Sequence, residues 1–297
     1  MQTSFICPLS NRGFIKLQGS DIKKFLQPLI TNDIDKVTSD KAIYSAILTP
    51  QGKYLFDFFI YFLEDAFFID CHLEQLEELI SKLNFYKLRS DVNFTDVTRS
   101  YSFFLLESSD IFENFDLNKH PGLVKRSNGY FLISDPRLKK LGVRAIINKG
   151  EESELLKKLQ LPIKTIEDIE EIRISNGVPL GTKDMSKKFI LECNLDFLNG
   201  IDFKKGCYIG QELTSRMKLR NKVTKRLLPA IIDKETINEN LKIEFNKKII
   251  GEICSINKNK ALCFVNLKDI KPEYLSDNHL VCNQEKVKLY IPEWLKL

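Results

Sequence analysis

Histidine is scarce in this chain of 297 residues, tryptophan occurs once, and none of the seven cysteines forms a C-x-x-C pair. With only His72, His120 and His279, a histidine-rich metal cage is not expected. The cysteines at 7, 71, 193, 207, 254, 263 and 282 are odd in number and widely scattered, which argues against a disulfide framework or preformed zinc site and for a reducing compartment. No apolar run approaches the ~18 residues of a membrane span, and the first eight residues lack the basic region and long apolar core of a secretory signal. Excess charge of one sign is missing too. Lys and Arg number 45 against 40 Asp and Glu, a formal net charge of +5, and the signs alternate along the chain. This pattern argues against a nucleic-acid partner and remains compatible with a small acidic ligand. We therefore expect a soluble, cytoplasmic protein with no membrane or nucleic-acid partner.

What is present is the composition of an ordinary globular protein, 43% hydrophobic and 29% charged. A chain of this length buries roughly three quarters of its unfolded surface, enough for two or three modest domains. Residues 13–19 alternate as a strand does, and Ser20 or Asp21 can cap the helix that Ile22, Phe25, Leu26 and Leu29 suggest, with Pro28 ending it. Residues 42–48 and 54–63 flank the Thr49-Pro50-Gln51-Gly52-Lys53 break and read as a hairpin, followed by a strand at 66–71 and an amphipathic helix through Leu73, Leu76, Leu79, Ile80 and Leu83. Further strands are expected at 92–95, 102–106, 129–134 and 144–147, and helices at 151–159 and 165–175. From about Lys225 only short β-type runs remain, at 226–232, 241–245, 249–256, 261–266 and 287–291. The expected fold is α+β: two similar mixed or antiparallel halves, 1–100 and 101–225, around a central cavity, and a small β-barrel over 226–297. Lys271, Pro272, Glu273 and Trp294 read as loop and packing residues.

One stretch stands out chemically: Lys204-Lys205-Gly206-Cys207-Tyr208-Ile209-Gly210-Gln211-Glu212. A helix is expected to start near Gly210, so its N-terminal dipole and the two lysines favour a thiolate at Cys207. The plainer reading is that the glycines allow a sharp bend and Cys207 is a small buried apolar residue.

The run from Lys205 to Glu212 resembles the signature K-G-C-[FY]-x-G-Q-E of the YgfZ-type folate-binding proteins, relatives of the glycine cleavage T-protein that support iron-sulfur enzymes. The resemblance extends from about Arg12 to Arg226 through Arg12-Gly13, Leu29-Ile30-Thr31-Asn32-Asp33, the Thr49 to Lys53 turn with Asp57, Lys87-Leu88-Arg89, Asp135-Pro136-Arg137 with Gly142, and Leu191-Glu192-Cys193-Asn194-Leu195. It implies a protein that binds tetrahydrofolate or a related folate and assists assembly or repair of iron-sulfur clusters in client enzymes, with those enzymes or assembly factors as partners. Cys207 and Lys205 would form the reactive centre, and Gly206, Tyr208 and Gln211 would help bind folate. Glu192 would accept the 2-amino and N3–H edge of the pterin; the alternative is a carboxylate that caps backbone. Asp57 sits in an apolar strand where the T-proteins carry two adjacent aspartates, the first replaced here by Phe56. That departure weighs against aminomethyl transfer, and Asp57 can equally be an outward-facing polar residue. Arg89, Arg137, Arg173 and Arg216 are candidates for the folate glutamate tail or, each alone, surface or salt-bridged residues. Tyr44, Tyr54 and Phe58 can stack on a ring or belong to the core. Two other functions stay open: a folate-dependent aminomethyl- or methyltransferase, and a non-catalytic scaffold.

Overall fold

The structure is a computed structural model that describes residues 4–127, 129–233, 239, 241–270 and 280–296. Lys271, Pro272, Glu273 and His279 therefore lie outside the described residues. The chain forms two compact units, one of Met1–Leu48, Phe56–Ile166 and Leu198–Ile209, the other of Thr49–Leu55, Glu167–Phe197 and Gly210–Leu297.

The first unit holds β1 (Phe5–Pro8), β2 (Arg12–Gln18), α1 (Ile22–Leu26), β3 (Ile43–Leu48), β4 (Tyr54–Leu63) from its third residue on, β5 (Ala66–His72), α2 (Leu76–Lys87), β6 (Asn93–Asp96), β7 (Tyr101–Glu107), α3 (Ser109–Asn114), β8 (Val124–Ser127), β9 (Tyr130–Ser134), β10 (Val143–Asn148) and α4 (Glu152–Leu159). They build two five-stranded sheets, ordered β3-β4-β5-β2-β6 and β1-β7-β10-β9-β8. The β-branched and aromatic content of these strands explains their choice of conformation, and their inward residues make the core. Phe14 stacks on Phe68 at 4.7 Å and meets Tyr101 and Phe103 edge-on at 5.1 and 5.3 Å, so one ring joins both sheets. Burial of such a ring stabilises by about 2–3 kcal/mol. On the second sheet Leu106, Leu132, Val143 and Ala145 pack with Ile111 of α3 and Leu155 of α4.

Three local expectations need correction. The carboxylate of Asp21 does not cap α1: it accepts the N–H of Asp91, while Asp91 accepts Ser20 N–H and Oγ–H. A cross-chain clasp thus displaces a local cap. Strand β1 belongs to the second sheet, paired antiparallel with β7, although it opens the chain. The short α3, β8 and α6 (Gly181–Met185) were not expected.

The second unit holds α5 (Ile166–Ser175) from its second residue on, α6, α7 (Gln211–Leu219) and a closed barrel. Its strands are β11 (Lys225–Ile232), β12 (Lys242–Phe245), β13 (Lys248–Asn257), β14 (Lys260–Asn266), β15 (Leu280–Cys282) and β16 (Glu285–Leu289), in the order β11-β14-β13-β12-β15-β16. Alternate residues such as Leu228, Ala230, Ile232, Ile253, Cys263 and Val287 fill its interior. Closure leaves no open sheet edge. The indole of Trp294 packs against this core and donates to Asn176 O at 3.0 Å.

Candidate functional site

In the first unit the motif segment is fastened to the chain around residues 27–32. Lys205 is 8% exposed, and its Nζ donates to Gln27 O at 2.6 Å, Ile30 O at 2.6 Å and Asn32 O at 2.9 Å. Gln27 is the C-cap of α1, so the ammonium serves carbonyls at and beyond the end of that helix, a position that also suits a positive charge. Ile209 N–H to Pro28 O, Asp202 N–H to Thr31 O, Thr31 Oγ1–H to Gly200 O and Asn32 Nδ2–H to Asn199 O complete the seam. Burial pulls the Lys205 ammonium down to about 8, opposed by Asp33 and Asp202. The sequence assigned this charge to the thiol; its hydrogen-bond partners are instead the carbonyls.

Cys207 is the exposed cysteine of the seven, and the other six are buried. Beside it Gly206 is exposed, with nothing within 4 Å of where a Cβ would stand, and its φ lies outside the left-handed region. Tyr208 turns inward, its ring centroid 5.2 Å from Lys205 Nζ. The segment therefore buries Lys205 and Tyr208 and presents Gly206 and Cys207.

Asp57 is half-buried and accepts the hydroxyl of buried Tyr44 at 3.0 Å, while Phe56 is 1% exposed, as strand alternation requires. Tyr54 and Phe58 are buried as well. Arg137 does not stand ready for a ligand carboxylate, because it makes a bidentate pair with Asp135 at 3.0 and 2.9 Å. Nearby Asp70 binds Arg12 at 2.6 Å and Arg144 at 2.8 Å; burial pushes its carboxyl up, and the two guanidiniums outweigh it and hold it below the ordinary value. Arg144, Arg137 and Arg12 also lie 4.3, 5.0 and 5.7 Å from the Phe59 ring centroid. Arg89 is exposed and lines an open groove with Asp21, Lys24, Leu88 and Ser90. A separate cavity of about 260 Å³ is lined by Asn32, Lys36, Lys41, Tyr44, His120, Asn199 and others, and not by Asp57 or Cys207.

In the second unit three motif pieces meet. Gly210, with φ of 82°, starts α7 in the left-handed region, and a Cβ on Gly52 would stand 3.1 Å from Gly210 O and 3.4 Å from Thr214 Oγ1. Both positions require glycine, one for conformation and one for conformation and closeness. On its other side the 49–53 turn pairs with the loop before Glu192, Lys53 bridging Phe189 and Tyr54 N–H reaching Lys188 O at 3.0 Å. Oε2 of Glu192 accepts Phe189 N–H at 3.3 Å. Burial raises the Glu192 carboxyl, against that bond and the pull of Lys225, Lys188 and Arg226. Arg226 holds this loop by donating to Leu191 O and, bidentately, to Asp196 at 2.6 and 2.9 Å. Sequence reasoning missed Arg226 and Asp196, whose only signal was opposite charge 30 positions apart. Gln211 opens α7, Arg216 pairs with Glu212 one turn before it, and Arg173 is buried against Glu170, Asp184 and Val178 O. These two arginines are thus engaged within the protein.

Residues 2–108 match the GCVT N-terminal domain family and residues 224–297 the CAF17 C-terminal β-barrel domain family. The iron-sulfur cluster assembly factor IBA57 homolog, mitochondrial, of Dictyostelium discoideum is 31% identical over 258 residues, 76% of this chain and 62% of that protein. The mouse mitochondrial IBA57 is 29% identical over 242 residues, 76% of this chain and 65% of that protein. With the Neurospora crassa homolog the matched share of the relative is 53%, so the chain spans about half to two thirds of the curated relatives it matches. Over 99% of this chain and 86% of the other, the fold is similar to the glycine cleavage system aminomethyltransferase T from Bartonella henselae, with a TM-score of 0.77 at 11% identity. Domain order, relatives and fold together fit the YgfZ- and IBA57-type iron-sulfur assembly family related to the glycine cleavage T-protein.

Proposed function

We propose that this protein binds tetrahydrofolate or a related folate and assists assembly or repair of iron-sulfur clusters in client enzymes, with the Cys207 thiol as its working group. The observation that carries the proposal is the presentation of Cys207: six cysteines are buried and the one inside the motif is exposed. A thiolate is a soft donor suited to iron or to sulfur transfer. Among the described residues no three His, Cys, Asp or Glu side chains gather as a metal site, and clusters are commonly held by four thiolates. The remaining ligands would therefore come from the client or an assembly partner. The compartment proposed for it is the reducing cytoplasm.

Glu192 carries the folate half. Its carboxylate is half-buried, one oxygen takes the Phe189 N–H, and the other has no hydrogen bond among the described residues. That geometry fits an incoming amino and ring N–H pair, to which a carboxylate offers charge-assisted acceptors. The reading of Glu192 as a backbone cap is met by the same Phe189 bond, so affinity decides between them. Titration with tetrahydrofolate should show binding at micromolar ligand, and Glu192→Gln should weaken it by about 1.5–3 kcal/mol with an unchanged melting temperature. No binding at millimolar folate would remove the cofactor. A transferase reading is disfavoured by Phe56, which puts a buried apolar ring where the T-proteins carry the first aspartate.

A further inference from the structure

The turn that follows α2 places a leucine where a glycine would serve better. Ser90 N–H bonds to Lys87 O at 2.9 Å, closing a four-residue turn, and Leu88 at its second position has φ 47° and ψ −108°. Those angles are near the first central position of a type II′ turn, which glycine favours and a side chain strains. Strain of this kind is ordinarily tolerated for a buried packing residue, yet Leu88 is 88% exposed. Phe85, three residues earlier, is 72% exposed. Neither side chain therefore contributes much to the core, whereas Leu76, Leu79 and Leu83 of the same helix are buried.

Around the two exposed side chains cations outnumber carboxylates. Leu88 and Arg89 line an open groove of about 660 Å³ with Asp21, Lys24 and Ser90. Lys82 Nζ lies 5.4 Å from the Phe85 ring centroid and 5.2 Å from that of Tyr86. Asp21 and Asp91 keep their charge here while accepting the Asp91 N–H and Ser20, and they stand against the cations Lys24, Lys82, Lys87 and Arg89. Lys24 and Arg89 make no hydrogen bond or ion pair among the described residues. We infer that the turn after α2, with Phe85, Leu88, Arg89 and Lys24, is a docking surface for an acidic protein segment that presents bulky apolar side chains. Charge complementarity selects the occupant, and the open groove beside Leu88 gives an apolar side chain of that segment a place to sit. This inference uses neither Glu192 nor Cys207, on which the proposed function rests, and it takes Arg89 for a protein partner instead of the folate tail.

The test uses the full chain and fluorescence anisotropy with a labelled hexapeptide of two leucines flanked on each side by two aspartates. It should bind with a Kd of about 10–300 µM, weakening as salt rises. Peptides with serines for the leucines, or lysines for the aspartates, should bind at least about tenfold more weakly, as should the Leu88→Gly and Arg89→Ser variants. Leu88→Gly should keep or raise the Tm, since glycine relieves the turn. The inference is overturned by no hexapeptide binding at about 1 mM, by equal binding of the serine or lysine peptide, or by full affinity in Leu88→Gly. A fall in the Tm of Leu88→Gly by more than about 4 °C would make Leu88 a packing residue. Tighter binding to phosphatidylserine-containing vesicles than to the peptide would assign the patch to a lipid surface instead.

Discussion

Lys205→Met tests whether the motif lysine holds the fold or serves the thiol. Its ammonium donates to three carbonyls at 2.6, 2.6 and 2.9 Å, and all three lose that donor in the variant. A hydrogen bond to a charged group contributes about 1.5–3 kcal/mol, but the three do not add, because the variant also recovers the desolvation cost of the ammonium. A buried carbonyl left without its donor costs about 1–3 kcal/mol, and with the ammonium's desolvation recovered we expect a net loss of about 3 kcal/mol. The melting temperature should fall by roughly 10 °C, and amide hydrogens of Ile209 and Asp202, which bond Pro28 O and Thr31 O, should exchange faster. Lys205→Arg should rescue little, since a planar guanidinium does not meet three convergent carbonyls. A loss below about 1 kcal/mol, together with much slower alkylation of Cys207, would refute the reasoning and return Lys205 to the thiol.

The two motif glycines should respond differently: Gly206→Ala, into open space, should change stability by less than about 0.5 kcal/mol, and Gly210→Ala, at φ 82°, should cost about 1 kcal/mol or more by urea unfolding. Glu107, at the end of β7, is pushed up by burial from 4.5 to about 7. Its folded value lies above its unfolded one, so its contribution is fully present below pH 4.5 and is lost as the pH rises to about 7. Glu107→Gln should flatten that decline and stabilise the protein at pH 8 by about 1–2 kcal/mol after allowance for solvent screening; an unchanged pH profile would contradict the shift.

The strands were legible where alternation and aromatic content coincide, as in β4 and β5, and the barrel where short β-type runs follow one another without helical spacing. Strand β1 was not, because four residues ending in proline carry too little pattern and β7, its partner, lies about a hundred positions away. The motif could be read as a place but not as a set of contacts. Lys205 binds carbonyls up to 178 positions distant, and backbone acceptors leave no mark on sequence. Arg226 and Asp196, which hold the Glu192 loop, look like two charges among many until the fold brings them together. For Glu192 the sequence left a ligand contact and a backbone cap open, and the structure shows the bond from Phe189 N–H that the cap requires. Arg137 and Arg173 take the salt-bridged alternative that the sequence left open, with buried aspartates as partners that composition does not reveal.

The most direct test of the central claim is Cys207→Ala in cells that lack the native protein, with the activity of iron-sulfur enzymes as the readout. Cys207 is exposed, so the purified variant should melt within about 2 °C of the parent and bind tetrahydrofolate as the parent does. The account predicts that this folded, folate-binding variant fails to support the enzymes. Full support by the same variant would contradict it.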